Sequence, residues 1–240
     1  MNLLAFDTST DTLSIAVQRG EALWRHDGPG GAQASSTLIP AVRALLAQAG
    51  LDFAQLGAIV FSRGPGSFTG LRTASAIAQG LAFGAGAGRG IPVLPVDTLA
   101  AVAEQARHQH GCTEVVAVLD ARMDEVYTAP YQWQDGAWHA AGALGLCAPQ
   151  QVQVAEGWTV AGNAQAAYGE RLAPGARHVH ALPTATALLR LAPGLLAAGQ
   201  AVPADQALPL YIRDKVAQTT AERAAAQAAA STTASAPAQP

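Results

Sequence analysis

The sequence predicts an α/β protein built from two related lobes. Short apolar strands alternate with helical stripes along the chain, the first strand runs into a hydroxyl-rich turn, and a segment of the same pattern recurs half a chain later. At 240 residues the chain is long enough for two modest domains, and half of it is hydrophobic.

Leu3 to Phe6 is an apolar run that stops at Asp7-Thr8-Ser9-Thr10-Asp11-Thr12. Leu13, Ile15 and Val17 then alternate with Ser14, Ala16 and Gln18, a period-two strand. Arg19-Gly20-Glu21 turns the chain into a third strand at Ala22 to Arg25, completing an antiparallel meander. Past the breaker Gly28-Pro29-Gly30-Gly31, Ser35 or Ser36 caps a helix with Pro40 near its first turn. Its stripe is Leu38, Val42, Leu45 and Ala49, and Gly50 ends it. Ala58 to Phe61 is a buried strand parallel to the first.

The stretch Gly64-Pro65-Gly66-Ser67-Phe68-Thr69-Gly70-Leu71-Arg72 opens a helix that runs to Gly84, followed by a flexible loop to Gly90. It superficially resembles a phosphate loop. A Walker A loop needs Lys directly after its second Gly, where Leu71 stands, and the glycine spacing is one residue too long. The dinucleotide pattern also fails, because Gly70 comes one place late. Free amides at the helix start still favour an anion, which makes Asp7, Thr8 and Ser67 candidate anion or nucleotide contacts. The helix itself is lined with Thr73, Ala74, Ala76, Gly80 and Gly84. Glycine inside a helix costs about 1 kcal/mol against alanine, so Gly80 implies close approach of another helix. The turn therefore launches a helix better suited to docking than to catalysis.

Val93 to Val96 is the next strand, with Asp97-Thr98 capping a helix that carries Leu99, Val102 and Ala106. Val115 to Leu119 is a strand ending in Asp120. Asp7 and Asp120 are separated by the same interval as Asp11 and Asp124 (120 − 7 and 124 − 11), and the flanking apolar positions match. Val152 to Val160, Ala185 to Leu196 and Leu208 to Ile212 alternate between strand-like and helical patterns. The expected division is a first lobe of 1–98, a second of 99–217, and an Ala-, Thr-, Ser-, Gln- and Pro-rich tail of 218–240 that cannot bury a core and is expected to be disordered.

The formal net charge of −3 argues against a protein that grips nucleic acid on its own. Cys112 and Cys147 lack disulfide or metal spacing. The six histidines include no i, i+4 pair of the kind that puts two imidazoles on one helix face. The first residues lack a basic segment before the apolar run, and no stretch is long and apolar enough to span a bilayer, so the expected location is cytoplasmic with no membrane partner.

Leu4 to Thr10, Gly64 to Arg72 with Ala78-Gln79-Gly80-Leu81-Ala82, Asp120-Ala121-Arg122-Met123-Asp124-Glu125-Val126-Tyr127, and Pro209 to Arg213 together resemble the TsaB (YeaZ) family, in order over residues 1 to 216. The resemblance implies the two-lobed actin-like, Hsp70-like (ASKHA) fold with ribonuclease-H-like lobes. It implies a non-catalytic subunit in the synthesis of N6-threonylcarbamoyladenosine in tRNA. Such a subunit binds and activates TsaD, which transfers threonylcarbamoyl from threonylcarbamoyl-AMP to the adenosine beside the anticodon. TsaE is a further partner, tRNA is met only through the complex, and a homodimer can form through the same surface. No cofactor is expected to bind tightly; ATP or ADP is expected only at the complex interface. The docking helices map to about 36–49 and 69–84, with Leu38, Val42, Arg72, Thr73, Ile77 and Gly80 as expected contacts. The H-x-x-x-H metal pair of TsaD-type proteins is replaced here by Ala34-Ser35-Ser36-Thr37-Leu38. The alternatives from the same residues are an ATP-binding phosphotransferase of this fold, or a metal-dependent transferase or peptidase of the TsaD type.

Overall fold

Two mixed sheets with one strand order make up the molecule. The computed structural model describes residues 1–85 and 90–213. Met1–Leu210 form one unit; Tyr211–Arg213, the described part of a second, hold neither helix nor strand. The expected tail of 218–240 lies outside the described residues, as do 86–89 of the expected glycine loop.

The first sheet holds β1 (Asn2–Asp7), β2 (Thr12–Arg19), β3 (Ala22–Pro29), β4 (Ala58–Gly64) and β5 (Val93–Asp97) in the order β3-β2-β1-β4-β5. The second holds β6 (Glu114–Arg122), β7 (Glu125–Gln134), β8 (Ala137–Ala140), β10 (Thr159–Gly162) and β11 (Arg177–His180) in the order β11-β10-β6-β7-β8, with β9 (Gly145–Cys147) also on β7. In both, an antiparallel hairpin is followed by strands parallel to its first member. The interval between Asp7 and Asp120 is thus a duplication of topology.

The helices break the symmetry. The first lobe carries α1 (Ala34–Ala49) and α2 (Phe68–Gly84); in the second, the position of α2 is taken by the single turn α4 (Ala164–Tyr168), and no long helix lies between β8 and β10. Two long helices complete the fold, α3 (Thr98–His110) and α5 (Ala185–Ala197).

Alternation along the strands assigns the faces. Leu4, Phe6, Leu13, Ile15, Ile59 and Phe61 pack under α1 and α2. Leu3, Ala5, Ala16, Val60, Leu94 and Val96 face the other way and are covered by α5, through Ala185, Leu188, Leu189 and Ala192. This corrects the expected division at residue 98. Although α5 comes late in the chain, it completes the core of the first lobe. After it, Val202 pairs with Val93 on β5, Ala207 accepts hydrogen bonds from Ser75 and Gln79 of α2, and the Leu210 amide donates to the Arg63 carbonyl at 2.7 Å. The first lobe needs α5 because, among the described residues of 1–98, no helix covers its second apolar face.

Local details differ from the sequence reading. Helix α1 starts at Ala34, and Ser35 and Ser36 donate backwards to the Ala32 and Gln33 carbonyls instead of capping. Pro40 therefore lies inside the helix. Asp97 does not cap α3 with its side chain; its carboxylate takes the Arg63 guanidinium at 2.6 Å. β3 runs on to Pro29, and no strand forms at 208–212, where single backbone bonds hold the chain.

Helix α3 touches strands of both sheets, and it carries the buried ionic centre of the fold. Glu104 is 1% exposed. It accepts from Arg107 on α3, from Arg190 on α5 at 2.7 Å and from the Trp138 indole on β8 at 3.0 Å. Arg190 also reaches Gln105, and Arg107 stacks over Trp133 at 4.0 Å. Burial alone would raise the Glu104 carboxyl, but the donors from Arg107, Trp138 and Arg190 outweigh it and hold the pKa below its ordinary value. A depressed carboxylate stabilises the fold above its unfolded pKa, and that contribution fades as pH falls through the folded value. Truncating one partner strands the rest, so Glu104→Ala is expected to cost about 3 kcal/mol in urea unfolding at pH 7. The loss should shrink at acid pH, where the wild type weakens too.

Candidate functional site

The place to look for chemistry is where the strands of the first sheet end, at the turn after β1 and the turn from β4 into α2. These turns meet backbone to backbone. The Ser67 amide donates to the Ser9 carbonyl at 2.7 Å, and Thr8 Oγ1 donates to the Gly70 carbonyl at 2.7 Å. The contact requires glycine. A Cβ at Gly66 would reach the Ser9 carbonyl, and one at Gly70 would overlap the Thr8 carbonyl. Ser67 caps α2, its hydroxyl accepting from the Gly70 amide at 3.4 Å.

The expected anion contacts are therefore corrected. Asp7 and Thr8 are both 0% exposed, Thr8 lies against the glycine turn, and the Ser67 hydroxyl is spent on its own helix. The Ser67 amide, at the N-cap of α2, is taken by the Ser9 carbonyl. Asp7 is held by the Ser9 amide at 3.1 Å and by the Ser9 hydroxyl, which reaches both carboxylate oxygens. Burial lifts its pKa to about 6, while Ser62 and Ser9 pull the other way. Ser62 Oγ makes no well-formed hydrogen bond, so its pull is chiefly that of a nearby dipole.

The repeated turn of the second lobe is occupied as well. Asp120 accepts from the Tyr168 hydroxyl at 2.8 Å and from the Arg122 amide. Burial and then Asp120 push the Tyr168 phenol up to about 12, so it remains a donor at neutral pH. Arg122, Met123 and Asp124 all have positive φ, between 56° and 63°, and Arg171 braces the turn through Asp124 at 2.6 Å. Arg122 reaches Asp11 of the first turn at 3.4 Å; both are exposed, so this contact contributes under about 1 kcal/mol.

What remains open is the outer surface of α1 and α2. Leu38 and Val42, expected there, are fully buried against the first sheet, which corrects both: the strongest apolar stripe of a surface helix is the one that faces its own core. The outer face of α1 is instead Ile39, Pro40, Arg43, Ala44 and Ala47. On α2, Arg72 and Gly80 are exposed while Thr73 and Ile77 are half-buried. Phe83, which the sequence reading passed over, is 79% exposed. A Cβ at Gly80 would meet nothing within 4 Å. The signal for this face was present in the sequence as the small and aromatic residues Ala76, Gly80 and Phe83, which fall outside the buried stripe of α2.

The model of the family described as "TsaD: tRNA N6-adenosine threonylcarbamoyltransferase" matches residues 30–238. The "tRNA threonylcarbamoyladenosine biosynthesis protein TsaB" of Escherichia coli K12 is 34% identical over 227 residues, covering 90% of this chain and 96% of the relative. The chain belongs to the TsaB family. The TsaB of Haemophilus influenzae is also 34% identical, over 90% of this chain and 95% of its own length. A solved structure described as "YeaZ from Pseudomonas aeruginosa" superposes with a TM-score of 0.80 at 40% identity, over 88% of this chain and 99% of that one. The fold is the two-lobed, actin-like one of that family. Among the described residues no helix is long and apolar enough to cross a membrane.

Two changes test the closed turn of this TsaB. Gly70→Ala should lower the urea unfolding free energy by about 2 kcal/mol or more, because two backbones must separate. A raised folded pKa means Asp7 favours the fold most below about pH 4 and that this gain is lost as pH rises through about 6. Asp7→Asn should abolish that slope, gaining up to about 3 kcal/mol relative to wild type between pH 4 and pH 8.

Proposed function

We propose that this TsaB chain is the non-catalytic subunit that docks on TsaD through α1 and α2 and activates it for threonylcarbamoyl transfer to tRNA. The observation that carries the reading is a contrast within one element. The start of α2 is tied to the Thr8–Ser9 turn, while its flank, with Gly80 and Phe83 exposed and Ile77 half-buried, lies beside the outer face of α1. A helix whose N-cap is tied to a neighbouring turn and whose side offers an open glycine beside an exposed aromatic is suited to contact with another helix.

In this reading the expected contacts Arg72, Thr73, Ile77 and Gly80 remain, and Ile39, Arg43 and Phe83 replace Leu38 and Val42. The chain holds no nucleotide tightly between its own lobes; ATP or ADP enters only where TsaD completes the site. TsaE and tRNA are met through the complex, self-pairing uses the same helices, and the protein works in the cytoplasm. The phosphotransferase alternative would need Asp7 to reach a metal–phosphate group, and its burial works against this.

The test is reconstitution with purified chain, TsaD, TsaE, threonylcarbamoyl-AMP and substrate tRNA, each omitted in turn. Transfer should stop when this chain is left out, and the chain alone should transfer nothing; transfer that continues without it refutes the reading. Gly80→Leu should leave the monomer folded, since the site is open and leucine favours helix. It should weaken TsaD binding at least about tenfold, as bulk at the centre of an interface does.

A further inference from the structure

We infer that the free edge of β3 is a further contact surface, where two copies of this chain pair antiparallel around His26 and join their first sheets into one. This contact lies on the sheet edge, apart from the outer face of α1 and α2, and is independent of the docking proposed for that face.

The two sheets end in β3, β5, β8 and β11. The outer edge of β5 is met by Val202, and β8 and β11 are four residues long. β3 runs for eight, Ala22–Pro29, and most of them are exposed. Arg19 and Ala22 close the hairpin around Gly20 and Glu21, so they form a hydrogen-bonded pair. Counting on from that pair, the backbone groups of Trp24, His26 and Gly28 turn inward to β2, and those of Leu23, Arg25, Asp27 and Pro29 turn outward. Among the described residues no backbone hydrogen bond takes these outward groups. Pro29, which has no N–H to leave bare, falls at an outward position, as an edge strand requires.

A long open edge is a template for another strand. A two-fold pairing must set outward residues against outward residues. The register centred on His26 does so for all four: Leu23 meets the partner's Pro29, and Arg25 meets the partner's Asp27. Registers centred on Arg25 or on Asp27 set two like charges opposite each other instead, which is destabilising, whereas opposite charges there attract. Charges that ordinarily blunt an edge therefore select one register here. Asp27 is already oriented for it: its carboxylate accepts from Ser14 Oγ at 2.7 Å, and Ser14 in turn accepts from the Ala185 amide at 3.0 Å. Arg25 is exposed and has no hydrogen bond or ion pair among the described residues. Charge complementarity of the strand with its own reverse is what singles out a second copy as the occupant.

The experiment uses the full-length chain with His26→Cys, oxidised in air at about 0.1 mM because a contact of one strand pair is small and weak. In the inferred register the two thiols flank the axis on a non-hydrogen-bonded pair, with Cα atoms about 4.5 Å apart and within disulfide reach. A disulfide-linked dimer is expected on a non-reducing gel. Leu23→Cys is also exposed but stands roughly 20 Å from its copy, and it should link at least about tenfold less. Wild type, with Cys112 and Cys147, gives the background. Arg25→Asp should cut the His26→Cys linkage about tenfold, and adding Asp27→Arg should restore it. Gly80→Leu should leave the linkage unchanged. If His26→Cys links no more than Leu23→Cys, β3 does not pair with a second copy and the inference is overturned. If Arg25→Asp has no effect, the register selected by charge is wrong. If Gly80→Leu abolishes the linkage, the helix face brings the copies together and the β3 contact is refuted.

Discussion

The contact on which most of this structure turns is the seam between the Thr8–Ser9 turn and the Gly66–Gly70 turn. Two backbones come close there, joined by the Ser67 amide to the Ser9 carbonyl and by the Thr8 hydroxyl to the Gly70 carbonyl. The seam fixes where α2 leaves the sheet, and so which of its sides faces the core. It also lays the Thr8 backbone against Gly70 and gives the Ser67 amide an acceptor in the Ser9 carbonyl. A glycine-rich strand-to-helix turn is a common anion cradle because its amides are free; here the protein's own carbonyl takes that role. Losing the ligand site and presenting the helix follow from one local geometry.

Duplication gave the molecule two sheets of the same order, but only one copy kept long helices on its outer face. The second lobe puts a single turn, α4, where the first has α2. Its repeated Asp120 is tied to Tyr168, a side chain from α4, much as Asp7 is tied to Ser9. The apolar helical surface is therefore on one lobe alone. The buried Glu104 joins α3 to α5 and to β8, so that surface is carried on a body whose lobes are cross-braced.

Much of the architecture was legible in the sequence because it depends on short-range patterns. Alternation at Leu13, Ile15 and Val17 and the stops at Asp7 and Gly50 mark β2, β1 and the end of α1 correctly. The repeat of Asp7 and Asp11 at Asp120 and Asp124 anticipates the common strand order. Three features were not legible. Leu38 and Val42 advertise an apolar stripe, yet a stripe does not say whether it meets its own sheet or another protein; the less conspicuous Ile39 and Arg43 were outside. The close packing of Thr8 and Ser9 depends on a turn some sixty positions away, at Gly66 and Gly70, and a polar cluster beside a strand looks the same with or without it. The return of Ala185–Leu210 to the first lobe rests on a helix face and a few isolated backbone bonds, too sparse to leave a periodic signature.

That return has a consequence for how the protein is made. Leu3, Ala5, Val60, Leu94 and Val96 lie in the first hundred residues, but the helix that shields them is Ala185–Ala197. During synthesis these side chains leave the ribosome long before their cover does, and at ordinary elongation rates of roughly 5–20 residues per second the wait lasts several seconds. The nascent amino-terminal half is thus an exposed apolar sheet face for that interval, and the outer edge of β5, whose inner edge pairs with β4, waits for Val202. A chain cut short anywhere before α5 would be left in that state permanently, a natural client for chaperones and proteases.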